Sequence, residues 1–147
     1  MAGYSGTPLP RKLGLKPGHS LAVLGAPPGF RAQLGDPGSA VGDPGSVLVT
    51  EGLTGRAPVD VILSFVRWRD ELAAALPSLR RQLAPAGGLW IAWPKRSAAV
   101  ATDMTEHVVR EIALPTGLVD NKVCAIDGTW SALRLVIRLE LRVPGPA

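Results

Sequence analysis

The stretch VDVILSFVRWRDELAAALPSLRRQLAPAGGLWIAWP, residues 59–94, decides the fold. It holds two short apolar runs, Val59–Val66 and Leu89–Trp93, each long enough for a buried strand. Between them lies a helical stretch, and Gly87-Gly88 marks where the helix is expected to stop and the second strand to start. Parallel strands cannot be joined by a tight turn, so a strand–helix–strand crossover of this kind is the unit from which parallel sheets are built. Pro77 falls inside the helical stretch, where proline removes an amide donor and crowds the preceding turn. Two helical pieces are therefore expected, Asp70–Leu76 and Pro77–Leu83, with Pro77 opening the second.

On the N-terminal side, residues 1–18 are rich in Gly, Pro and Ser, with Pro8, Pro10 and Pro17 limiting helix. They read as an extended arm lying on the domain, with room for one turn around Lys12–Leu15. His19–Leu24 is apolar enough for a central strand and ends in Gly25-Ala26-Pro27-Pro28-Gly29, before a short helix at Phe30–Leu34. Next, Gly35-Asp-Pro-Gly-Ser39 recurs as Gly42-Asp-Pro-Gly-Ser46. Proline fixes φ and glycine permits positive φ, so each copy reads as a tight turn, and residues 35–46 as a duplicated surface loop. A short strand, Val47–Thr50, follows.

Beyond the crossover, Asp103 and Glu106 have capping-box spacing ahead of a helix in TEHVVREIAL. Met104, Val108 and Ile112 share one face of it, and Glu106–Arg110 forms an outward i,i+4 pair. Two strands come last, Val119–Ile126 and Leu133–Leu141. Leucine and isoleucine alternate with charge in the second, which suggests a strand near a sheet edge. Residues 19–142 thus make a single α/β domain, and 143–147 a tail.

At 147 residues and 46% hydrophobic composition, the chain is long enough to bury one core. No apolar run reaches ~18 residues, and MAGYSGTPLPRKLG lacks the apolar core of a secretory signal. A lone Cys124 forms no internal disulfide. A cytoplasmic protein with no membrane contact is the expectation. The net charge of +4 comes from basic residues scattered along the chain, which counts against nucleic acid as a partner.

A strand, a helix, LAPAGGLWIAW, another helix and a terminal hairpin resemble the second half of the class I S-adenosylmethionine-dependent methyltransferase fold. The resemblance covers about Val59–Arg142 and implies a reduced, Rossmann-like, mostly parallel sheet closed by a C-terminal antiparallel hairpin. In that family a glycine-rich turn after the first strand lets backbone amides approach the cofactor, and an acid after the second holds the ribose. Here the turn is Leu24-Gly25-Ala26-Pro27-Pro28-Gly29-Phe30, and its two prolines remove two donors. Residues 25–58 are too few for two further strands with their helices, so at least one unit is missing. Glu51 is a discounted candidate for the ribose acid. On these grounds no cofactor is expected, and S-adenosylmethionine should bind weakly or not at all. Four separated blocks, among them GGLWIAWPKR and GLVDNKVCAIDGTWSALRLVIR, also resemble a bacterial family, the domain-of-unknown-function 3052 family. That resemblance implies no particular activity.

Catalytic motifs are absent: there is no Gly-x-Ser-x-Gly elbow, no phosphate-binding loop with Gly-Lys-Ser/Thr, and no metal-ligand spacing among His19, His107 and Cys124. Trp90 and Trp93 lie three apart on a strand and read as core on opposite faces. Lys95 and Arg96 follow a parallel strand at its carboxyl end, where open α/β sheets bind ligands. With Asp127 and Trp130 they are expected to converge above that edge. Together with Gly25 and Gly29 they form the candidate site for a small anionic ligand. The reading is a non-catalytic or regulatory ligand- or protein-binding module, leaning away from an enzyme. A small group-transferase is the alternative, and self-association through Leu133–Leu141 is compatible with both.

Overall fold

In the computed structural model, which describes residues 6–55 and 58–142, the crossover builds the centre of one six-stranded sheet. The strands are β1 (Ser20–Leu24), β2 (Leu48–Glu51), β3 (Val59–Phe65), β4 (Leu83–Pro94), β5 (Leu118–Ala125) and β6 (Trp130–Ile137), ordered β2-β1-β3-β4-β6-β5. β1 runs parallel to β2 and β3, and β3 parallel to β4. β6 runs antiparallel to β4 and β5, which closes the sheet with the expected hairpin. One strand, β2, stands between β1 and the crossover, so one strand–helix unit is indeed missing.

The helices are α1 (Leu9–Lys12), α2 (Phe30–Leu34), α3 (Pro37–Ala40), α4 (Arg69–Gln82) and α5 (Glu106–Ala113). α4 and α5 cover one face, packing Leu72, Leu76, Leu79, Val109 and Ala113 onto Ile62, Leu89, Ile91, Leu133 and Leu135. The N-terminal segment, α2 and the repeat loop cover the other, where Leu13, Leu15, Phe30, Leu34 and Val47 meet Leu21, Val23, Val61, Leu63, Trp90 and Ala92. β3 is buried on both faces, which is why its sequence is a continuous apolar run instead of an alternation. Trp90 and Trp93 fall in opposite cores, and Trp90 Nε1 donates to the Leu13 carbonyl at 3.0 Å, tying the N-terminal segment to the sheet. Among the described residues no helix is long and apolar enough to cross a membrane.

Several boundaries differ from expectation for physical reasons. α4 is one helix of 14 residues, not two pieces. Pro77 and Ala73, whose carbonyl loses its partner, both lie on the exposed side, where water satisfies the carbonyl. β4 starts directly at Leu83, so Gly87-Gly88 sits inside it and not at its start. The β3–β4 register jumps from Val59↔Leu83 to Val61↔Gly88, a bulge that the glycines allow. A Cβ on Gly87 would lie 2.6 Å from the Asp60 carbonyl oxygen, and one on Gly88 2.5 Å from Arg134 Nε.

The turn in the N-terminal segment comes at Leu9–Lys12, ahead of the expected Lys12–Leu15. α5 is capped by Thr105, whose Oγ1 accepts from Val108 N at 3.1 Å; Asp103 instead accepts from Arg69 N at 2.7 Å and braces the start of α4. The last strand ends at Ile137 in a 3₁₀ turn over Leu139–Leu141, and it lies between β4 and β5. Self-association through Leu133–Leu141 as an edge is thereby corrected, because the edge is β5. Alternation marked a strand, but the charged Arg134 is accommodated over Gly88 inside the sheet rather than at its margin.

Candidate functional site

The carboxyl ends of β1 and β2 open into a cleft of about 440 Å³ lined by Val23, Leu24, Gly25, Ala26, Phe30, Arg31, Glu51 and Gly52. Its geometry follows from the parallel pairing of the two strands. Val23 lies opposite Glu51, so the acid that ends β2 stands beside the turn that ends β1. Gly52 N donates to the Val23 carbonyl at 2.8 Å and pins that juxtaposition. Gly25 has φ +66°, and a Cβ there would come 2.8 Å from the Phe65 carbonyl oxygen. Only glycine allows this turn to fold so tightly over the end of β3. Glu51 is exposed, with its carboxylate available to a ligand's hydroxyl donors.

Pro27 and Pro28 do not block this cleft. The Pro27 carbonyl accepts from Phe30 N at 3.1 Å and sets up α2, and neither proline lines the opening. Gly29, at φ +85°, starts α2 and accepts from Gln33 N at 3.0 Å; it does not line the cleft. Phe30 turns inward as part of the floor, and Arg31 places its Nη1 2.8 Å from the Gly35 carbonyl.

Phe30, Phe65 and Trp130 form an edge-to-face series with 5.0 Å between successive ring centroids. It runs beneath the carboxyl edge from the cleft to the β5–β6 turn. Trp130 is thus a packed wall residue. Asp127 is committed to that turn, its Oδ1 accepting from Thr129 N at 2.8 Å and Trp130 N at 2.9 Å. Lys95 comes beside them, its backbone N–H donating to the Thr129 carbonyl at 2.7 Å. Lys95, Asp127 and Trp130 therefore share the carboxyl end. Arg96 instead lines a separate cleft of about 380 Å³ between β4 and the start of α5, with Trp93, Thr102, Met104 and Glu106 among its walls.

The remaining reactive side chains do not assemble. Cys124 is half-buried, and burial pushes its thiol pKa up against the pull of Lys12 and Lys122. His19 Nδ1 accepts from Lys16 N at 3.2 Å, and His107 sits 3.7 Å from Glu111. No group of metal-ligating side chains occurs among the described residues.

Solved structures share this fold. A SAM-dependent methyltransferase from Aquifex aeolicus superposes with a TM-score of 0.61 at 18% identity, over 86% of this chain and 87% of that one. The fold is that of the class I methyltransferases. Magnesium protoporphyrin IX methyltransferase from Synechocystis, with bound SAM, matches at TM-score 0.59 and 11% identity over 87% of this chain and 74% of that one. Fibrillarin from Aeropyrum pernix, with natively bound S-adenosyl-L-methionine, matches at 0.53 and 19% over 86% and 72%. No protein-family model matches the chain, and neither does any curated sequence.

These neighbours correct the expectation of a non-catalytic module, since methyltransferases are what this fold is shared with. At such identities the likeness is one of fold, and the chemistry rests on the cleft. Glu51 and Arg31 line this cleft and join the candidate residues; sequence reasoning had discounted the first and not considered the second. The signal was LVTE itself, a short β run ending in an acid.

Proposed function

We propose that the chain is a small S-adenosylmethionine-dependent methyltransferase whose cofactor cleft lies at the carboxyl ends of β1 and β2. One observation carries this reading: Glu51 ends β2 opposite Val23 and lines, together with the Gly25 turn of β1, a cleft of about 440 Å³. A carboxylate offers acceptors to both hydroxyls of a ribose, and hydrogen bonds to a charged group contribute about 1.5–3 kcal/mol. Gly25 lets the turn lie tightly against the end of β3 where it lines the cleft, and the Phe30 ring supplies an apolar floor. Arg31 adds a cation at the rim for a carboxylate on the bound molecule.

The donor set therefore fits a nucleoside-bearing cofactor, and S-adenosylmethionine would supply an electrophilic methyl group. The chain's own part is orientation and exclusion of water. Glu51 is the one carboxylate lining the cleft, so no second acid is available there as a base. Membership of the bacterial domain-of-unknown-function 3052 family remains part of this reading, supported by the four sequence blocks.

Thermal melting with S-adenosylmethionine and S-adenosylhomocysteine tests the proposal. A ligand at 100 times its Kd adds about 2.7 kcal/mol, equivalent to roughly 5–11 °C for a chain of this size. Melting curves unmoved by either compound at millimolar concentration would reject it.

A further inference from the structure

A second site lies away from the cofactor cleft, on the face that the N-terminal segment covers. A cleft of about 200 Å³ opens between that segment and the C-terminal hairpin, lined by Lys12, Gly14, Asn121, Lys122 and Arg134. A larger one, about 630 Å³, has Arg11, Gly14 and Lys16 in its lining. The two share Gly14. Five cations therefore line adjoining clefts with no carboxylate among the lining residues. The scatter that counted against nucleic acid is scatter in sequence only; the fold gathers residues 11–16, 122 and 134.

Lys122 and Arg134 are cross-strand partners, and Lys12, which lines the same cleft, places its Nζ 3.5 Å from the Ala125 carbonyl. Arg134 is partly buried, and its pKa is lowered first by that burial and then by Arg142 nearby. Like charges directly opposite on a sheet are destabilising. Two acids of the flanking segments are engaged elsewhere. Asp120, next to Asn121, bonds Arg110 at 2.9 Å on the α5 face, and Asp36 accepts from Gly38 N, Ser39 Oγ and Gly45 N within its own loop.

We propose that these joined clefts bind the phosphodiester backbone of a nucleic-acid duplex, with Lys12, Lys122 and Arg134 as phosphate contacts and Arg11 and Lys16 extending the track. A chain carrying one charge per unit suits two cationic clefts that meet, whereas a single small anion occupies only one. Among the described residues no aromatic side chain lines either cleft, so those residues offer no platform for stacking bases. The site contacts phosphate and positions the duplex without reading its sequence.

Fluorescence anisotropy with labelled DNA and RNA duplexes of roughly 12 base pairs tests this, titrated from about 50 to 200 mM salt. Neutralising three phosphates predicts a slope of log K against log salt near −2.7, or about a 40-fold loss over that range. Binding of either duplex with this slope supports the site, and the duplex that binds identifies the partner. Lys122→Ala with Arg134→Ala should flatten the slope by about two, whereas Arg81→Ala on the opposite face should leave it unchanged. Because Arg134 packs over Gly88, Lys122→Glu on the exposed edge strand provides a second test, with a weaker affinity expected at unchanged melting. Absence of binding at about 50 mM salt overturns the inference, as does a slope indifferent to these changes. Preference for phosphatidylserine vesicles or a polyglutamate peptide over both duplexes overturns it as well.

Discussion

Substituting alanine for Gly25 and for Gly52 separates two contributions to the cofactor cleft. Both glycines line it and both have left-handed backbones, φ +66° and +87°. Each alanine therefore carries a similar conformational cost, about 1–2 kcal/mol. They differ in space. Around Gly52 a Cβ meets nothing within 4 Å, whereas at Gly25 it meets the Phe65 carbonyl oxygen at 2.8 Å. That oxygen belongs to the backbone at the end of a strand buried on both faces, so it cannot swing aside. Relieving the clash requires a backbone shift, which typically costs a further 1–3 kcal/mol. Gly25→Ala should thus lose about 2–5 kcal/mol and Gly52→Ala about 1–2, a difference of roughly 2–12 °C in melting temperature. Differential scanning calorimetry on the three proteins makes the comparison. Equal melting of the two variants would show that the Gly25 turn is not held against β3, and the cleft geometry argued from it would fail.

Phe65→Ala removes the middle ring of the Phe30–Phe65–Trp130 series and should cost about 3–5 kcal/mol in urea unfolding. A loss under about 1 kcal/mol contradicts that packing. Leu63 is fully buried at the centre of the sheet, so Leu63→Asp should abolish folding against a total stability of about 5–15 kcal/mol. A soluble variant with the original melting point contradicts the strand order. Asp36 is held below the ordinary aspartate value of 3.8, first by the Gly45 amide and then by Ser39. Its folded pKa is depressed, so its contribution is complete above the unfolded pKa and is lost as pH falls through the folded one. A carboxyl resonance titrating at or above 3.8 by NMR contradicts the loop's hydrogen bonding.

The crossover was legible because burial on both faces writes itself as apolar runs. Strand adjacency and the missing unit followed from run lengths and from the count of residues 25–58. Boundaries were less legible, because they depend on partners. Pro77 breaks a helix only where its freed carbonyl is hidden, and Ala73 faces water. Gly87-Gly88 looks like a turn in sequence but serves the close approach of Asp60 and Arg134. The expected convergence at the carboxyl edge was legible for three of its four residues. Lys95, Asp127 and Trp130 follow strand ends and meet at one edge, yet their polar groups are largely spent on the turn itself. Glu51 was discounted because residues 25–58 are short and rich in turn formers, which left the strand before it in doubt. Parallel pairing of a four-residue strand brings that acid beside Gly25 regardless, and sequence spacing alone does not display such a register.

Isothermal titration calorimetry with S-adenosylmethionine, on the native chain and on Glu51→Gln, measures what the acid at the end of β2 contributes. Saturable binding is expected from the native chain and roughly 10- to 150-fold weaker binding from the variant, the loss expected when a charged acceptor is replaced. Equal affinity in the two proteins, or no binding heat from the native chain at millimolar ligand, would contradict the assignment of the β1–β2 cleft.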